Sequence, residues 1–180
     1  LGSSATCNGT GNIINSTTIS NDCTLNNPGT YTMSGEAFQL NDSGGDGAIT
    51  FSVGNIILDM NGSTITGNTT SCCSPRHIGI NTNTRDNNTI KNGIIIFYSD
   101  GIRMFNSDNI ILLNLTLKSS RANINLGATT RAYNISILDS DIYNGTSWNV
   151  FSDLVENYFI NNTIFNYSND NFFITSTNNL

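Results

Sequence analysis

The chain has 180 residues and a formal net charge of −6, and only 11% of its residues are charged. This length suits one domain or a short repeat array; the sparse, acidic charge argues against a nucleic-acid-binding face, and no apolar run approaches the roughly 18 residues of a membrane helix. Thirty-one asparagines exclude an all-helical protein, because their side chains compete for the backbone hydrogen bonds a helix needs.

The chain begins at Leu1 with no Met and no charged-then-apolar leader, as a mature or trimmed chain would. Residues 1–48 hold Cys7, Cys23, Pro28-Gly29 and Gly44-Gly45 with an irregular apolar pattern, and are expected to form an N-terminal cap or the first irregular coils. Cys7 and Cys23 enclose a modest loop that suits a disulfide. The even cysteine count in an acidic, Lys-poor chain favours oxidised thiols, and no paired Cys-x-x-Cys supports a zinc site. Within the Gly-rich stretch 41–47, Asp42 and Asp46 are weak candidates for holding Ca²⁺, although the ligand spacing of a known calcium loop is missing.

From Asn55 to Gly67, short apolar alternations separated by Asn, Asp and Gly mark strands and turns. The stretch 68–77, with Cys72, Cys73 and Pro75, interrupts this pattern as a projecting loop. Cys72 and Cys73 have three options: a vicinal bridge, bonds to other partners, or free thiols. His77, with no second His, is expected to be a polar loop residue.

Beyond Gly79 the sequence repeats about every 22 residues. Rows start at Gly79, Gly101, Arg121, Ser147 and Asn171. Each then brings a second apolar stretch, a polar residue (Asn92, Asn114, Asp139, Asn161) and, three positions on, Ile95, Leu117, Ile142 or Ile164. Three short strands with turns can close one coil of this length, with stacked coils about 4.8 Å apart. Like residues then pile into ladders, Ile and Leu inside. The column Asn92, Asn114, Asp139, Asn161 is expected at an inward turn, bonding to the coils above and below. This pattern predicts an all-β parallel β-helix, a solenoid over residues 49–180, in preference to a β-sandwich. The last row starts at Asn171 and the chain stops at Leu180, so either the natural chain continues or another molecule covers that coil.

The stretches Asn55-Ile56-Ile57-Leu58-Asp59-Met60-Asn61-Gly62-Ser63-Thr64-Ile65-Thr66-Gly67, Asn87-Asn88-Thr89-Ile90-Lys91-Asn92 and Asn161-Asn162-Thr163-Ile164 resemble right-handed parallel β-helix proteins of the pectate-lyase-like superfamily. Within that group they are most similar to the Asn-rich, NosD-like surface proteins of archaea. The resemblance implies a fold. It says little of function, because such solenoids serve as lyases, hydrolases, tailspikes, adhesins and scaffolds.

Enzymes of this fold place acidic groups on neighbouring coils. The corresponding candidates are Asp86 and Asp108, one coil apart, with Arg85 and Arg103 nearby; two close carboxylates suit a retaining glycosidase or a cation. They are weak candidates, because ordinary solvent-facing turn chemistry accounts for them better. Trp148, Phe172 and Phe173 are expected in the core unless they face outward as a sugar platform. Eleven Asn-x-Ser/Thr sequons occur, against about seven expected from composition alone. Asn8, Asn15, Asn41, Asn61, Asn68, Asn87, Asn134, Asn144 and Asn166 are candidate glycan acceptors, while Asn114 and Asn161 are expected to be locked in the inward ladder. The sequence therefore points to a secreted or cell-surface, N-glycosylated structural or adhesive protein, self-associating through its solenoid ends into a filament, with no cofactor beyond a possible Ca²⁺. A polysaccharide lyase or hydrolase, and a carbohydrate-binding spike, are the alternatives.

Overall fold

The chain returns to the same faces once per coil, and all of its strand pairings are parallel. The computed structural model describes residues 5–7, 10–19, 22–42, 45–68, 77–119, 121–127, 132–153, 155–166 and 170–174. On the first face stack β1 (Ala5–Thr6), β3 (Cys23–Leu25), β6 (Ile49–Phe51), β9 (Ile78–Asn81), β11 (Asp100–Arg103), β13 (Ala122–Leu126), β16 (Trp148–Ser152) and β19 (Asp170–Ile174), hydrogen-bonded in that order. The second face carries β2 (Ile13–Ile14), β4 (Gly29–Met33), β7 (Ile56–Asp59), β10 (Thr89–Ile96), β12 (Ile110–Lys118), β14 (Ala132–Leu138) and β17 (Val155–Asn161). On the third lie β5 (Ala37–Gln39), β8 (Thr64–Thr66), the C-terminal halves of β10 and β12, β15 (Asp141–Tyr143) and β18 (Ile164–Asn166). This is a parallel β-helix.

Strand alternation sends every second side chain inward, and the register aligns those side chains coil on coil. Tyr31, Leu58, Ile90, Leu112 and Ile137 form one fully buried column. Ile65, Ile95, Leu117 and Ile142 form a second, and Ile49, Ile80, Ile102, Ile124 and Val150 a third. Branched aliphatics suit these positions: they favour the extended backbone, and each buried side chain contributes roughly 1.5–3 kcal/mol.

The N-terminal residues share this frame. β1 pairs with β3, β2 with β4, and β5 with β8, so among the described residues no separate cap stands apart from the stack. A disulfide joins Cys7 to Cys23, with Cα atoms 5.1 Å apart and both residues fully buried, tying the first coil to the second. Cys72 and Cys73 lie outside the described residues. The described residues on either side of that stretch stack on each other: Ile56 N–H donates to Asn88 Oδ1 32 residues onward.

The last coil shifts by one residue from the expected alignment. Phe165, not Ile164, pairs with Ile142, and Ile164 points to solvent at 62% exposure. Two adjacent asparagines, Asn161 and Asn162, let either one pass for the recurring polar position in the sequence.

Candidate functional site

Asparagine marks the corners of the coil. At the bend between second and third faces, Asn92, Asn114, Asp139 and Asn162 have φ of 59°, 51°, 49° and 46°. This left-handed conformation is one that Asn and Asp tolerate better than other side chains bearing a Cβ. Their side chains link the coils: Asn92 Nδ2 donates to Asp59 Oδ1 (3.0 Å), Asn114 Nδ2 to Asn92 Oδ1 (3.0 Å), and Asn162 Nδ2 to Asp139 Oδ1 (2.8 Å). This column differs from expectation in two ways. It faces outward, with Asn114, Asp139 and Asn162 exposed. The interior of the bend is filled instead by Met60 and Leu115, and a Cβ at Gly93 would run into the Met60 side chain. The last rung is Asn162; Asn161 pairs with Leu138 beside it.

A second outward ladder runs along the entry to the second face, where Asn55, Asn87, Asn109, Asn134 and Asn157 all have φ between 55° and 61°. Asn109 Nδ2 donates to Asn87 Oδ1 (3.0 Å), Asn134 Nδ2 to Asn109 Oδ1 (2.8 Å) and Asn157 Nδ2 to Asn134 Oδ1 (3.3 Å). Each amide donates toward the preceding coil, over steps of 22, 25 and 23 residues. Its sequence signal is an asparagine three residues before each of Leu58, Ile90, Leu112, Ile137 and Ile160.

The buried ladder lies elsewhere. Asn123 and Asn149 are fully buried. Asn123 Nδ2 donates to Asn149 Oδ1 (2.7 Å) and to the Tyr143 carbonyl (2.9 Å). Asn149 Nδ2 donates to Asn171 Oδ1 (2.8 Å) and to the Asn166 carbonyl (3.2 Å). A buried amide is costly unless it is bonded, and these donors are. The equivalent positions in the earlier coils are Gly79 and Gly101. A Cβ at Gly79 would meet the Gly101 carbonyl at 2.5 Å, Ile95 at 2.9 Å and the Tyr98 ring at 3.0 Å, so neighbouring groups leave no room for a side chain there. The Tyr98 hydroxyl donates to the Leu40 carbonyl (2.8 Å), and burial, with the nearby Asp42 charge, pushes its pKa up.

The sequence-predicted acids are engaged in holding coils together. Asp86 Oδ1 accepts the Asp108 backbone N–H (2.9 Å), and Asp108 Oδ1 accepts that of Tyr133 (2.8 Å). Asp42 is buried: Oδ1 accepts the Gly45 N–H (2.7 Å), Oδ2 accepts that of Ile78 (2.9 Å), and its carbonyl bonds His77 Nδ1 (2.7 Å). Asp46 is exposed and contributes its backbone carbonyl, which accepts from Asn81 Nδ2 (2.5 Å). Asp42 and Asp46 are thus not brought together as a cation cage, and among the described residues no three His, Cys, Asp or Glu converge on a metal position.

The charged pair that the sequence did not suggest is Asp100 with Arg121. The Asp100 side chain is fully buried, and Arg121 Nη2 lies 2.5 and 2.6 Å from its two oxygens. Asn125 Nδ2 adds a third bond at 2.8 Å. Arg121 also lies over the Trp148 ring at 5.6 Å, and Trp148 packs on Phe151 at 4.9 Å. Trp148 and Phe172 are therefore partly buried packing residues; the Phe173 ring lies outside the described side chains. On the ladder side, burial pushes the Asp59 carboxyl up, but bonds from Asn92, the Asn61 N–H and Lys91 outweigh it and hold the pKa below its ordinary value. Lys91 Nζ is 3.1 Å from Asp59.

Two surface grooves accompany these features. One of about 210 Å³ follows the first ladder along Asn92, Gly93 and Asn114; another of about 280 Å³ lies against Asp141, Tyr143 and Ile164. Both fall below the ~300 Å³ at which small-molecule pockets begin. No described helix is long and apolar enough to cross a membrane.

Of the candidate glycan acceptors, Asn61, Asn68, Asn87, Asn134, Asn144 and Asn166 are exposed, Asn15 and Asn41 are half-buried, and Asn8 lies outside the described residues. Asn114 and Asn161, expected to be enclosed, are exposed as well. No family model matches the chain, and no curated protein or solved structure matches it either.

Proposed function

We infer that the chain is a structural or adhesive protein of the extracellular surface, N-glycosylated, whose solenoid stacks head-to-tail with further copies into a filament. The observation that carries this lies at the last described coil. Ile160 stands in register above Ile137, Leu112, Ile90, Leu58 and Tyr31, all fully buried, yet it is 37% exposed. Tyr158, Phe165 and Phe172 head this end of the interior and are partly buried, with ring centroids 5.1 Å (Phe165–Phe172) and 6.5 Å (Tyr158–Phe172) apart. Interior columns that emerge as an apolar face are what a further coil in the same register would cover. A contact between unlike ends does not close on itself and so propagates.

Two other features support the reading. The candidate acids are spent on coil-to-coil hydrogen bonds, which favours a structural role over catalysis. A buried disulfide between the first coils suits an oxidising compartment. Parallel coils and asparagine-marked bends support kinship with the pectate-lyase-like β-helices, and among them with the NosD-like surface proteins.

Electron microscopy and light scattering of the purified protein test this. Fibres with an axial repeat of several ~4.8 Å coil spacings are expected, and Ile160→Asp should abolish them. A wild-type protein that stays monodisperse at high concentration overturns the proposal.

A further inference from the structure

The second outward ladder alternates in a way that hydrogen bonding alone does not require. Of its five rungs, Asn87 (Asn87-Asn88-Thr89) and Asn134 (Asn134-Ile135-Ser136) are sequons, whereas Asn55, Asn109 and Asn157 are not. The outward residue two positions after each rung alternates in step. Thr89 and Ser136 follow the sequon rungs, while Ile57, Ile111 and Phe159 follow the others, exposed by 39%, 39% and 59%. A sequon thus occupies every second coil, and a bare apolar side chain occupies the coils between.

We propose that Asn87 and Asn134 are N-glycan acceptors whose sugars lie over Ile57, Ile111 and Phe159 and cover this face. The proposal rests on the glycoprotein reading above and specifies its sites. Coil spacing is the first argument. Adjacent rungs sit about 4.8 Å apart, close to the width of one pyranose ring, so glycans on neighbouring rungs would collide; a two-coil interval leaves room.

Amide geometry is the second argument. The side-chain nitrogen carries two hydrogens, one pointing away from its own carbonyl oxygen and one lying beside it. In a head-to-tail stack the first hydrogen makes the rung-to-rung bond, as Asn134 Nδ2 does to Asn109 Oδ1. Glycosylation replaces the second. Nδ2 bonds to C1 of a lipid-phosphate-linked oligosaccharide, the C1–O bond breaks, and the lipid phosphate departs with the bonding pair while the displaced proton passes to solvent. The ladder bond survives, so a rung can both clamp the coils and carry a sugar. The same geometry admits Asn114, whose neighbours Asn92 and Asp139 are not sequons.

Site-resolved glycopeptide mass spectrometry of the protein from an N-glycosylating host tests the assignment. Occupancy at Asn87 and Asn134 is expected, with loss at each site in Thr89→Ala and Ser136→Ala, which keep the ladder amides. Glycans confined to sequons other than Asn87 and Asn134 would overturn this proposal but keep the glycoprotein reading; a chain bare at every sequon would overturn both. Ile111→Thr turns Asn109 into a sequon between the two. Occupancy there at the expense of Asn87 or Asn134 supports the spacing argument, and simultaneous full occupancy of all three rungs refutes it.

Discussion

Arg121 holds both carboxylate oxygens of Asp100 through a single nitrogen, at 2.5 and 2.6 Å, on the face whose interior column includes Ile80, Ile102 and Ile124. The acid is fully buried and its partner is only 11% exposed, so neither charge can be recovered by water if the other is lost. Removing one member of such a pair typically costs about 3–5 kcal/mol, whereas replacing both with apolar residues is often close to neutral. Asp100→Ala should therefore lower the unfolding free energy by that order in urea titrations, and Asp100→Leu with Arg121→Met should recover most of it. Equal losses in the single and double variants would contradict this account.

The inner and outer ladders should respond differently to truncation. Asn149→Ala removes one of the two acceptors of the buried Asn123 amide, the Tyr143 carbonyl remaining, at a cost of about 1–3 kcal/mol. In the outer ladder the dominant cost is backbone conformation. Asn109→Ala loses the short polar side chain by which Asn tolerates the left-handed region, exposing a penalty of up to about 1–2 kcal/mol, and Asn109→Gly, with no Cβ, avoids it. Chemical denaturation should thus rank Asn109→Gly above Asn109→Ala in stability, and a reversed order would show that the side-chain bond matters more.

Reduction of Cys7–Cys23 should loosen the first coils before the rest. A bridge spanning 16 residues stabilises by about 3 kcal/mol in the chain-entropy account. Hydrogen exchange after reduction, or in Cys7→Ser with Cys23→Ser, should accelerate over β1 to β4 and little beyond β9. Uniform acceleration along the stack would mean that the coils unfold as one unit.

Asp59 supplies a pH dependence with a definite sign. Its folded pKa is depressed, so the stabilisation is present above the ordinary carboxylate pKa and is lost as pH falls through the lower folded value. Asp59→Asn should therefore lower stability at neutral pH and change it little below the folded pKa, flattening the acid limb of a stability–pH profile. An unchanged acid limb would assign it to other carboxylates.

Much of the fold could be read from the sequence because interior columns leave a simple trace. Ile90, Leu112 and Ile137 recur at coil spacing inside alternating runs, and no other arrangement needs them there. The direction of the asparagines was not legible. At Asn92 and Asn114 a left-handed residue breaks the two-residue alternation, and spacing then no longer tells inside from outside. The buried amides escaped notice because their column opens with Gly79 and Gly101 and gains asparagine only from Asn123 onward. Asp100 and Arg121 were hidden differently: they are 21 residues apart, one short of the repeat, and so never fell into a common row.

The amides of the second outer ladder all point one way, and this gives the solenoid an electrical direction. Asn109, Asn134 and Asn157 each donate to the amide oxygen of the coil before, so Asn87 stands at the accepting end of the series and Asn157 at the donating end. Their small dipoles add along the axis, as do those of bonded chains generally. Two molecules meeting with matching termini would oppose two such series, whereas opposite termini would continue one. Any fibre grown from such units has a distinguishable plus and minus end.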